Sequence, residues 1–329
     1  MTITAEENRN GGLLSKIGPL PKSDSGLMRR IRFHQAWYRS EIMGIDIFGQ
    51  LFGSGKPCGS VLADRDSERM KNFVGHDAAQ HYQFRRTQGW GVDPVRCTKY
   101  MTSSQTLTFN MLGQAVTRPE LCADLFNSLL GRSDLVKLEK YDFEFSPAGT
   151  EYSLGDRTLI DLLLRFRTRD NALQVVGIET KLADRFSTRS TAAMGGELYR
   201  LIQEKFSVWH NMVEALADNR TRQLVRCHAL AQSVQRHEDD KDLRTARMMI
   251  LLHPDDRIGY VAASAYSSHL TDPAISPIIT WDAFLACALA TGAIDYKLVR
   301  QLSDRYIDIL SSESAWSKFN SQISNHLES

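Results

Sequence analysis

Two apolar runs decide the fold: RTLIDLLLRFR at 157–167 and QVVGIETKL at 174–182. Each has strand length, each is flanked by turn residues, and each carries charge where a buried strand should have none. Asp161 is embedded among leucines, while Glu179 and Lys181 interrupt the second run. Charged groups inside such runs are costly unless paired, hydrated or bound to a metal. Side chains along a strand repeat with period two, which puts Leu159, Asp161 and Leu163 on one face and Gly177, Glu179 and Lys181 on one face. If Asp161 stands directly opposite Glu179, the turn must centre on Asp170, within the polar stretch Thr168-Arg169-Asp170-Asn171-Ala172. Cross-strand neighbours of matching parity point to one side of a sheet, so the three groups can converge.

Working outward, Tyr141, Phe143 and Phe145 alternate with Asp142 and Glu144 before Pro147 and read as a preceding strand over 141–147. The three strands are expected to be consecutive and antiparallel. Beyond them, Leu198, Leu201, Ile202, Phe206, Trp209, Met212, Val213 and Leu216 recur at helical spacing and predict one long helix, followed by another over Thr221–Val234. The charged run from His237 to Lys241 reads as a polar loop, and ARMMILLHP (246–254) as a buried strand of the same sheet. Helices are expected over 282–292 and 296–311. Upstream, two helices separated by Pro119 span about 101–131, residues 48–91 read as loops with short helices, and Leu27 to Gly44 as an amphipathic helix. Its aromatics Phe33, Trp37 and Tyr38 suit the core; its arginines leave a nucleic-acid or partner surface as the alternative. The order helix, three strands, helix, strand is an α/β plan with one mixed sheet. We divide the chain into a flexible tail (1–26), a helical and loop extension (27–100), a core (101–260) and a C-terminal strand with helices packing on it (261–329).

The bulk composition is that of a folded protein. Of 329 residues 42% are hydrophobic and 24% charged, enough for a sizeable core. A net charge of only +1 means that any nucleic-acid contact must come from local patches. The stretch MTITAEENRN lacks the basic and apolar regions of a signal peptide and no run has membrane-spanning length, so a cytoplasmic protein without membrane contact is the expectation. Five cysteines, odd in number and never in C-x-x-C, argue against a disulfide framework or a zinc knuckle. No H-E-x-x-H occurs among nine histidines. Gly53-Ser54-Gly55-Lys56 fails as a phosphate loop, because Gln50 stands where a glycine is required and Pro57 where Ser or Thr is.

Two carboxylates and a lysine on a sheet edge suit hard-metal chemistry. Mg²⁺ takes oxygen ligands, keeps several waters and needs only one or two protein carboxylates. A metal so held can polarise a phosphodiester oxygen and lower the pKa of a bound water, while a nearby ammonium orients that water or offsets developing charge. The competing reading is a structural ion pair between Lys181 and one of the acids.

The pattern resembles the PD-(D/E)XK signature: Ile160-Asp161, a hairpin, then Glu179-Thr180-Lys181 between apolar residues, in the element order of a restriction-endonuclease-like core. More narrowly, the chain is similar to a bacterial group of such nucleases over residues 29–255. The shared features are His34-Gln35-Ala36-Trp37-Tyr38-Arg39, Asn72-Phe73, Ser103-Ser104-Gln105 with Phe109-Asn110, Phe143-Glu144-Phe145-Ser146-Pro147, Gly155-Asp156-Arg157-Thr158, Gly177-Ile178-Glu179-Thr180-Lys181, and Gln223 with Arg226. The resemblance implies an α/β fold with a central mixed sheet flanked by helices, plus helical N-terminal and C-terminal additions. It also implies a metal held by Asp161, Glu179 and the Thr180 carbonyl, Lys181 assisting the water, and Gln223 as an accessory residue. The metal would be Mg²⁺, with Mn²⁺ as a substitute. Glu144 is either a further acidic ligand or an exposed strand-face residue. Two departures stand out: no proline precedes Asp161, and Thr180 replaces a Val-type residue. The implied function is a metal-dependent endonuclease acting on DNA, in a setting of anti-phage defence or restriction, as a homo-oligomer or with a defence-system partner. The alternatives are an RNA-directed nuclease and a catalytically silent nuclease-fold module that binds nucleic acid or a protein.

Overall fold

A five-stranded sheet organises the chain, in the order β3 (Leu135–Phe145), β4 (Ile160–Thr168), β5 (Leu173–Thr180), β6 (Arg247–Leu252) and β7 (Ile278–Thr280). β3, β4 and β5 are antiparallel neighbours, and β6 and β7 continue the sheet in parallel. The protein is described from a computed structural model that covers residues 15–24, 26–147, 151–238 and 244–327. The architecture is an α/β restriction-endonuclease-like fold with one mixed sheet, as the sequence implied.

The hairpin register is the one the polar stretch demanded. Leu162 pairs with Ile178 and the pairing runs unbroken to Arg167 with Leu173, which sets Asp161 across from Glu179 one step further on. The turn closes because Asn171 takes a left-handed φ of 64°, a conformation that asparagine tolerates, and because the Thr168 N–H donates to the Ala172 carbonyl at 3.0 Å. On the other side, Phe143 pairs with Leu162 and Phe145 with Ile160, so Glu144 lies across from Asp161. Three carboxylates thus stand side by side on three strands.

Both faces of the sheet are covered, which is why β4 and β5 read as nearly continuous apolar runs. Leu162, Leu164, Phe166, Val176 and Ile178 pack against α5 (Ser104–Leu112), α6 (Pro119–Leu129), α11 (Trp281–Ala290) and α12 (Tyr296–Tyr306). Leu163, Val175, Met248 and Ile250 pack against α9 (Arg222–Glu238) and α10 (Arg257–Ser267). Gly177 sets how closely α9 approaches. A Cβ there would meet the Met248 sulfur at 2.9 Å and the Ala231 Cβ at 3.3 Å.

Several expectations need correction. The long helix expected through Leu216 is two helices, α7 (Glu197–Phe206) and α8 (Met212–Ala217), broken at Ser207 with its left-handed φ of 48°. Leu198, Leu201 and Val213, expected on its buried face, are exposed. β3 begins at Leu135, earlier than expected, and β4 begins at Ile160, later. Residues 48–91 contain a hairpin of β1 (Phe48–Gln50) and β2 (Pro57–Leu62) as well as two helices, α2 (Asp64–Glu68) and α3 (His76–Thr87), with the short α4 (Pro94–Lys99) following. Ile17, assigned to a flexible tail, is fully buried, and the Ile17 carbonyl accepts from Arg39 at 3.2 Å. Strict period two also fails where it mattered. Ile160 packs with Leu163 rather than with Leu162, so the alternation breaks at Asp161. The loop expected at His237–Lys241 lies mostly outside the described residues.

In α1 (Gly26–Trp37) Phe33 and Ala36 enter the core, as one of the two readings had it. Its arginines are engaged within the chain: Arg30 with Glu313, and Arg32 with Asp24. Among the described residues no helix is long and apolar enough to cross a membrane.

Candidate active site

The Asp161 carboxylate is anchored at the end of β5. Its Oδ2 accepts from the Thr180 N–H and the Thr180 hydroxyl, both at 2.8 Å, and Thr180 Oγ1 shares a 2.7 Å hydrogen bond with Thr108 on α5. Glu179 is 1% exposed, and its Oε1 receives both the Lys181 ammonium at 2.7 Å and the Gln223 amide. The Cys227 thiol sits 3.5 Å from the other oxygen. Gln223, Arg226 and Cys227 come from the first two turns of α9, where steps of three and four residues share a helix face. Gln223 donates to the same Glu179 oxygen as Lys181, lines the cavity beside Asp161, and accepts the Ser187 N–H at 2.5 Å.

Glu144 is not the exposed strand-face residue of one reading, being 2% exposed. Its left-handed φ of 48°, uncommon outside glycine, turns the strand end inward. The Arg85 guanidinium holds it there, donating to the Phe143 and Glu144 carbonyls at 2.8 Å each. Gln105 Nε2 donates to Glu144 Oε2 at 2.8 Å, while the buried Oε1 has no hydrogen-bond partner among the described residues. Gln105, one of the residues shared with the bacterial group, is therefore a support for Glu144. The α5 cap is Ser103, and Asn110 ties Val74 and Asn72 to Tyr306.

Negative charge is crowded here. Burial, then the Asp161 charge, push Glu179 up to about 7. The same two causes hold Glu144 well above the usual carboxylate range, and burial raises Asp161 against the pull of Lys181 and Thr180. Burial opposes the Lys181 ammonium, but Glu179, Asp184 and Asp161 together outweigh it and keep that pKa above its ordinary value.

Glu144 and Asp161 line a cavity of about 300 Å³ together with Gln223, Arg226 and Arg157, among others, whereas the buried Glu179 and Lys181 are not part of its wall. A larger cleft of about 460 Å³, between His76 and Lys297, contains none of the three carboxylates. The family model of the PD-(D/E)XK nuclease superfamily matches residues 22–308. The chain belongs to the PD-(D/E)XK nuclease superfamily. No curated protein and no solved structure matches it significantly.

Superfamily membership makes the carboxylate edge the place to look for hydrolytic nuclease chemistry, and PD-(D/E)XK nucleases generally use divalent metals. The donor set fits such a cation: oxygen ligands only, an orphaned buried carboxylate oxygen on Glu144, and more negative charge than one ammonium answers. Among the described residues no three His, Cys, Asp or Glu side chains are placed to hold a metal by themselves. Backbone carbonyl and water would have to complete the shell. Sequence reasoning passed over Thr108, Arg85 and Cys227. The Asp156–Arg226 ion pair, 3.0 Å long and closed by the Tyr199 hydroxyl at 2.9 Å, was equally hidden, although Arg226 had been noted beside Gln223. The spacing of Gln223, Arg226 and Cys227 on one helix was the available signal.

Proposed function

We propose that the chain is a Mg²⁺-dependent endonuclease that hydrolyses phosphodiester bonds in DNA, with Asp161, Glu179 and Lys181 as its reacting groups. The observation that carries this reading is the row of Glu144, Asp161 and Glu179 across three strands, with Lys181 immediately past the end of the last of them. Asp161, Glu179 and the Thr180 carbonyl would hold the cation, with Glu144 as a further oxygen donor. Bound there, Mg²⁺ would polarise the scissile phosphate and make a bound water more acidic.

The chain's own residues do the rest. Thr180 fixes one oxygen of Asp161 and leaves the other without a protein hydrogen bond among the described residues. Gln223 holds Glu179 from the helix side, so that carboxylate keeps its place when Lys181 moves toward substrate. Lys181, kept protonated by three acids, donates to the attacking water or to a phosphate oxygen and offsets charge developing in the transition state. It does not act as a base in that state.

The test is incubation of the full chain with supercoiled plasmid, linear duplex, single-stranded DNA and RNA, in Mg²⁺, Mn²⁺ or EDTA. Cleavage of a DNA substrate that requires the metal is expected. Cleavage of RNA alone would replace DNA as the substrate, and no cleavage of any substrate would leave a silent binding module.

A further inference from the structure

Trp90 is the aromatic residue nearest in kind to what an unpaired nucleobase needs, and the chain spends structure on holding it out. Its side chain is 45% exposed, between Gly89 and Gly91 at φ of 98° and 123°. The segment is nevertheless bolted down. Arg85 Nη2 donates to the Trp90 carbonyl at 2.7 Å and, from the same nitrogen, to the Glu144 carbonyl at 2.8 Å. Gln105 Nε2 bridges the Gly91 carbonyl at 2.9 Å and the Glu144 carboxyl at 2.8 Å. A Cβ on Gly91 would come within 2.5 Å of Arg85, so this seat has no slack. The two side chains that fix the third carboxylate of the site thus also fix the position of Trp90.

Beside the indole lies positive charge. The Arg157 guanidinium lies over one face of the Trp90 ring, 6.0 Å from its centroid, which leaves the opposite face for a base, and it also lines the cavity that holds Glu144 and Asp161. Arg96 and Arg189 line the same cavity. A flat aromatic face next to arginines is how sequence-tolerant proteins bind single strands: bases stack on the ring while the cations follow the phosphates. A duplex keeps its bases stacked on one another and offers no free face to such a ring.

We propose that Trp90 is a stacking platform for an unpaired nucleobase at the rim of the cavity, with Arg157 beside it meeting the adjacent phosphate. The substrate class is then DNA presenting unpaired nucleotides next to the cleaved bond. This rests on the nuclease reading for the identity of the ligand, but its test does not need turnover.

In EDTA, fluorescence anisotropy of the full chain is read with three labelled probes: single-stranded DNA, a strand of equal length and charge carrying abasic sites, and the blunt duplex. Wild type is expected to bind the base-bearing strand tightest. Trp90→Ala should weaken that binding by about tenfold and leave the abasic strand unchanged, while Trp90→Phe should keep most of the affinity. Single-stranded RNA bound with the same Trp90 dependence would show that the base, not the sugar, is read. Equal affinity of Trp90→Ala and wild type, or an equal loss on base-bearing and abasic strands, overturns the proposal. Plasmid and oligonucleotide cleavage in Mg²⁺ is run in parallel. Cleavage with Trp90-independent binding removes the platform and keeps the nuclease; Trp90-dependent binding without any cleavage does the reverse.

Discussion

Lys181→Met removes the one ammonium at the carboxylate row and keeps most of the side-chain volume. The ion pair it deletes is buried on both sides, Lys181 being 7% and Glu179 1% exposed at the side chain. Breaking such a pair by taking one partner costs about 3–5 kcal/mol. In a chain of this size that corresponds to a fall in Tm of roughly 4–7 °C. The loss should depend on pH. Glu179 has its pKa raised to about 7, and a raised carboxyl pKa means stability that is held at low pH and lost as pH rises through the folded value. Without Lys181 that pKa climbs further. The variant's deficit should therefore grow between pH 6 and pH 8, by about 1 to 1.4 kcal/mol, because wild type stops losing stability above its own value of about 7 while the variant does not. Thermal melts in EDTA at both pH values read this, and the same melts with excess Mg²⁺ should recover part of the loss. Cleavage by the variant should be lost even where it is folded. A variant that melts far below wild type while its folded fraction still cuts DNA would refute the catalytic role. Melting equal to wild type at pH 8 would refute the electrostatic account.

Gln223→Ala deletes the hydrogen bonds to Glu179 and the Ser187 N–H; cleavage should fall about 10- to 100-fold with stability changed by no more than about 2 kcal/mol in chemical denaturation, and an unchanged rate would return Gln223 to a merely structural role. His34 and His228 are pushed down to about 4, chiefly by burial, so between pH 6.5 and 4 the unfolded chain takes up protons that the native chain refuses. Each should cost about 3 kcal/mol of stability by pH 4. His228→Gln should flatten the corresponding part of a urea-denaturation series against pH, and an unaltered slope would show that His228 is not the group responsible.

The hairpin and its register were legible because the physics is local: a period of two, burial on both faces, and a polar turn at Asp170. Asp161 and Glu179 could be set opposite each other by counting alone. What counting could not reveal is the left-handed Glu144, since nothing in Phe143-Glu144-Phe145 marks a φ whose supports, Arg85 and Gln105, lie 59 and 39 residues away in the chain. The break at Ser207 was hidden for the opposite reason. Apolar residues keep helical spacing through it, and some of them prove to be exposed. The first half of β3 was missed because its charged residues face solvent on an edge strand, where period two need not appear. Departures from pattern fall at Glu144 and Asp161, where neighbouring strands both lose regularity at the carboxylates.

The central claim is that Glu179 and its neighbours drive metal-dependent hydrolysis. The most direct measurement is single-turnover cleavage of a DNA substrate in Mg²⁺ by Glu179→Gln, with DNA binding and thermal melting measured on the same preparation. Removing the charge while keeping the shape should abolish cleavage, leave DNA binding within a few fold of wild type, and leave the protein folded. Cleavage by Glu179→Gln at the wild-type rate would contradict the account.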